Sequence, residues 1–118
     1  MKSRQPFFVR ALRSFPKARF RLLGLATIKD IPTEQFNEII KSLAEEGWRL
    51  VSEYSGHDAW IDYGRVKLRK GGHRLKFEWD NWTEGSIEGK PEVLNGIASQ
   101  HGLQVINEWR WSEYDDNV

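Results

Sequence analysis

The chain has 118 residues, 18 basic and 17 acidic, and contains no cysteine. That length predicts one domain, residues 1–118, large enough to bury a core without a covalent staple. The absence of cysteine excludes disulfides, thiolate metal sites and thiol nucleophiles, and fits a cytoplasmic, reducing setting. No run approaches the ~18 apolar residues of a membrane helix, so no membrane association is expected.

The first 21 residues are basic and acid-free, with Lys2, Arg4, Arg10, Arg13, Lys17, Arg19 and Arg21. They have the composition of a transit peptide, yet they run directly into a strand-like stretch, Phe20 to Ile28. Residues 6–14 read in two ways. One is a strand of a hairpin; the other is a helix with Phe7, Phe8, Ala11, Leu12 and Phe15 on one side and Arg10 and Arg13 on the other.

The clearest helix spans Thr33 to Glu46, where Phe36, Ile39, Ile40 and Leu43 form an apolar stripe. Thr33 suits the N-cap, Glu34 the positive end of the helix dipole, and Gly47 the left-handed residue that ends the helix. A strand follows from Trp48 to Tyr54. The run Glu46-Gly47-Trp48-Arg49-Leu50-Val51-Ser52 resembles helix-to-strand corners of small bacterial domains, a likeness of seven residues that implies no function.

Residues Trp60 to Trp82 read as a hairpin turning at Gly71-Gly72. That register puts Leu68 opposite Leu75 and Val66 opposite Phe77 on one face. It puts Arg69 opposite Arg74, Lys67 opposite Lys76 and Arg65 opposite Glu78 on the other. A second helix is expected from Pro91 to His101, with Val93, Leu94, Ile97 and Ala98 as its stripe and Gly102 as its end. A last strand runs from Leu103 to about Trp111, and residues 113–118 form an acidic, fraying tail.

A shift of 55 residues lays Gly47 on Gly102, Val51 on Ile106 and Glu53 on Glu108, and lays Arg10, Arg19 and Arg21 on Arg65, Arg74 and Lys76. The pattern predicts two ββαβ half-repeats, 6–55 and 60–112. The expected fold is α+β, a mostly antiparallel sheet with two helices on one face, either ferredoxin-like or a tandem ββαβ pseudo-repeat.

No constellation for chemistry stands out. His57, His73 and His101 lie in separate turns or helix ends, with no second ligand at zinc spacing. The acids Glu78, Asp80, Glu84, Glu88 and Glu92 interleave with Trp79 and Trp82, but Trp82 falls where a calcium loop needs an oxygen ligand. Paired carboxylates beside tryptophans would also suit sugar chemistry, an unspecific pattern. Glu53 and Glu108 are equivalent under the repeat and are matched by Arg49 and Arg110. The expectation is therefore a non-enzymatic protein with no cofactor and no metal.

Segregated charge is the informative feature. The N-terminal block and the stretch from Arg65 to Lys76 hold 13 of the 18 basic residues, leaving five against all 17 acids in the rest of the chain. Like charges directly opposed on a strand pair are destabilising, so an anionic partner is the simplest reason to keep them. Arg65, Lys67, Arg69, Lys70, Arg74 and Lys76, with Tyr63 and Trp82 for stacking, form a candidate surface for single-stranded nucleic acid. The preferred expectation is a protein-interaction module of accessory, dimerising or immunity type, bound to a protein partner or to a second copy; nucleic-acid binding is the alternative.

Overall fold

A computed structural model describes residues 24–107. They form an antiparallel five-stranded sheet with two helices, an α+β fold. The strands are β1 (Ala26–Ile31), β2 (Arg49–Glu53), β3 (Tyr63–Lys70), β4 (His73–Asp80) and β5 (Glu84–Gly89); the helices are α1 (Thr33–Glu45) and α2 (Pro91–His101). The spatial order is β1-β5-β4-β3-β2. After β1 the chain crosses the whole sheet through α1, lays β2 at the far edge, and returns as the meander β3-β4-β5. This element order, βαββββα, departs from the βαββαβ order of a ferredoxin-like sandwich.

Both helices pack on one face of the sheet. Phe36, Ile39 and Leu43 of α1 and Leu94, Ile97 and Ala98 of α2 meet Ala26, Ile28, Val66, Leu68, Leu75, Phe77 and Ile87 in one core. The apolar stripes read from the sequence are thus the core-facing stripes. Helix α2 has the expected bounds, with Pro91 in its first turn and Gly102 left-handed at φ +70. Helix α1 differs at its start. Pro32 occupies the capping position, and the Thr33 amide and hydroxyl both donate to the Glu84 carboxylate, each at 3.0 Å. A residue from the start of β5 therefore caps the helix, which local sequence cannot reveal. At the other end Gly47 takes φ +102, and Lys70 Nζ donates to the Glu46 carbonyl at 2.7 Å.

The hairpin keeps every predicted pair of the β3–β4 register. Its turn has positive φ at Gly71 only, the pattern of a type II′ turn. Strand β5 was not expected. Its sequence, EGSIEG, holds one large apolar residue, yet it lies between β1 and β4. Its glycines make room: a Cβ at Gly85 would stand 2.3 Å from the Phe36 ring, and one at Gly89 would stand 2.6 Å from Leu75. In β1 a bulge after Ile28, with Asp30 at φ +59, lets Ile28 and Ile31 both face the core.

The two half-repeats are not reproduced in the described part. Residues 103–107 contain no strand, only a bridge between Thr27 and Ile106. The predicted elements at residues 6–23, the basic ribbon of Arg10, Arg19 and Arg21, Glu108, Arg110 and the tail at 113–118 lie outside the described residues. Among the described residues no helix is long and apolar enough to cross a membrane.

Candidate interaction surfaces

The face of the hairpin turned away from the helices divides into two zones. Near the turn, Lys67, Arg69, Lys70 and Arg74 are exposed, with Arg69 directly opposite Arg74 and Lys67 opposite Lys76. Lys70 belongs to the other face by register, and its ammonium is engaged at the end of α1. Further down the strands the surface closes. Lys76 lies 3.6 Å from both Glu78 of its own strand and Glu88 of β5, so its charge is opposed from two sides.

Tyr63 is 1% exposed and so is not available for stacking on a base. Its ring meets Tyr54 edge-on at 4.9 Å, and its hydroxyl donates to Glu78 Oε2 at 2.5 Å. Arg65 is half-buried with its guanidinium 5.7 Å from the centre of the Tyr54 ring. The Tyr54 hydroxyl donates to Asp58 Oδ1 at 2.5 Å. That hydrogen bond is the main cause that holds the Tyr54 phenol above its ordinary ionisation range, with burial adding to it and Arg65 opposing it.

Trp82 is exposed, but it stands in the β4–β5 turn rather than on a strand. The Asp80 carboxylate shapes that turn, accepting from the Trp82 and Thr83 amides at 2.8 and 2.7 Å. At about 3.4 Å per residue, the length of β4 puts Trp82 on the order of 25 Å from the basic tip. The eight residues proposed from sequence therefore form a basic tip, a half-buried ionic middle and a distant tryptophan.

A different surface emerges beside edge strand β2. Leu50, Val51 and Ile61 each keep more than half of their surface exposed, and Trp60 keeps 39%. All of β2 is exposed, and its outer edge pairs with no described strand. A bulge at Val51 puts Arg49 opposite Arg69 on the outer face and Glu53 opposite Val66 on the helix face. The expected match of Glu53 with Arg49 is therefore lost, and Glu53 instead accepts from Trp60 Nε1 at 3.1 Å. Trp60 has φ +61, which sets its indole over Gly64, near Phe36 and Trp79 at 6.4 Å each. Alternation in the sequence identifies β2 as a strand but not as an edge, so its open apolar surface was not foreseen.

Among the described residues no group of three or more His, Asp or Glu side chains is placed to hold a metal ion. No family model, curated protein or solved structure matches this chain.

Proposed function

We propose that the protein is a non-enzymatic protein-interaction domain, of accessory, dimerising or immunity type, that acts in the cytoplasm. The carrying observation is the exposed Leu50 and Val51 on β2, whose outer edge pairs with no described strand, with exposed Trp60 and Ile61 in the loop that follows. An exposed strand edge with apolar side chains is a template for pairing with another chain, and tryptophan is enriched among residues that dominate binding. The cysteine-free composition supports the reducing compartment.

The test is light scattering coupled to size exclusion, with a pull-down from the source cell. A dimer or a stoichiometric partner is expected, and Ile61→Glu should abolish it while leaving the circular dichroism spectrum unchanged. A strict monomer that retains no partner sinks the reading.

A second reading rests on the opposed pair Arg69/Arg74 at the hairpin tip. Such a pair costs a few tenths of a kcal/mol, which an anionic ligand would offset. Single-stranded nucleic acid is that ligand. Tryptophan fluorescence titrated with oligonucleotides at two salt concentrations should give binding that weakens steeply with salt. No response at low salt removes it.

A further inference from the structure

Two registers meet at one end of the sheet. Arg49 of β2 stands opposite Arg69 of β3, and Arg69 stands opposite Arg74 of β4. The three arginines form one row across three strands, on the face turned away from the helices, with neighbours about 5 Å apart at Cα. All three are exposed. Among the described residues none of them forms an ion pair, because the carboxylates of Glu78 and Glu88 on this face flank Lys76 instead. Arg69 Nε donates to the Gly71 carbonyl at 3.2 Å, a tether to the turn that spares both Nη groups. A like-charged pair across two strands is destabilising, and the middle arginine has one on each side. Arginine also carries a planar fork that holds a phosphate through two parallel hydrogen bonds, which lysine lacks. The row has no stacking platform beside it. Tyr63 is buried, Trp48 packs against the core, and Trp82 stands beyond the far end of β4. His73 falls on the other face by register.

We propose that Arg49, Arg69 and Arg74 hold successive phosphates of a single-stranded nucleic acid that runs across β2, β3 and β4, with its bases turned away from the protein. The assignment rests on the second reading above. It adds Arg49, from outside the hairpin, and it makes the site blind to the bases, since phosphate contacts carry affinity without sequence information.

Fluorescence anisotropy of end-labelled strands tests this on the full-length chain, with oligothymidylate and an abasic strand of equal length. Both are expected to bind alike at low salt. Arg49→Gln should weaken both strands equally and make the plot of log affinity against log salt shallower by about 0.7, and Arg49→Gln, Arg69→Gln and Arg74→Gln together by about 2. Lys41→Gln on α1 should leave the slope as it is. These positions are exposed, so the circular dichroism spectrum should not change. Trp48, next to Arg49 in the chain, lets tryptophan emission report the same binding. Binding of oligothymidylate without the abasic strand overturns the base-blind site and leaves the second reading standing. An unchanged slope in Arg49→Gln overturns the row and again spares that reading. Failure of both strands to bind at low salt removes row and reading together, and polyglutamate binding in that case assigns the arginines to an acidic polypeptide.

Discussion

Two glycines and a tyrosine show how single residues shape this molecule. Gly64 and Gly85 lie under aromatic rings, with a Cβ placed 2.1 Å from Trp60 or 2.3 Å from Phe36. The two rings differ in freedom, because Trp60 is at the surface and Phe36 is buried. Gly64→Ala is expected to push the indole outward at a cost of about 1–2 kcal/mol, with a shifted tryptophan emission. Gly85→Ala should cost more, about 2–3 kcal/mol, since Phe36 has no exit. Urea midpoints of the two variants check this order.

Tyr54 gives a pH dependence with a definite sign. Its phenol is favoured in the fold by the hydrogen bond to Asp58, so its ionisation moves up. The stability it contributes is complete below the ordinary tyrosine value of about 10 and fades as pH rises through the higher folded value. Tyr54→Phe should flatten this alkaline loss, measured as denaturant midpoint against pH.

Among the elements, the β3–β4 hairpin was fully readable because its pattern is local. Alternation set the faces, and Gly71-Gly72 set the register that the strands adopt. The two helices were readable from stripes and end signals. Strand β5 was not, because its identity as a strand comes from its neighbours. Glycines under Phe36 and Leu75 look like loop composition until those neighbours are in place. The candidate site was readable only in part. Charge pairs across the turn followed from register, whereas the burial of Tyr63 and the exposure of Leu50 depend on which strands become edges. The capping of α1 has the same non-local origin. Glu84 holds φ +59 while its carboxylate binds Thr33. Glu84→Ala should lose about 1–2 kcal/mol. Glu84→Gly should lose less, because glycine removes the backbone cost; thermal melts of the pair measure the difference.

At the level of the whole molecule, the topology separates near contacts from distant ones. The meander β3-β4-β5 closes through short turns, whereas β1 must find β5 across most of the described chain. Loop closure makes the second step slower. Transition-state analysis should give φ of about 0.5–0.8 for Leu75→Ala in β4 and about 0–0.3 for Ile28→Val in β1. Equal values at the two sites would contradict this order of assembly.

The bridge at the β1 edge also makes the fold lockable. Thr27 and Ile106 exchange both backbone hydrogen bonds, each 2.8 Å long, and such paired residues stand about 5.5 Å apart at Cα. That separation lies within the range a disulfide spans. In a chain with no other thiol, cysteines at these two positions would have no other partner within the chain. The engineered clasp would close a loop of roughly 80 residues, for which chain entropy predicts about 4.5 kcal/mol of stabilisation. It would release on adding reductant, turning one edge contact into a reversible redox latch whose strength is read from the shift in melting temperature.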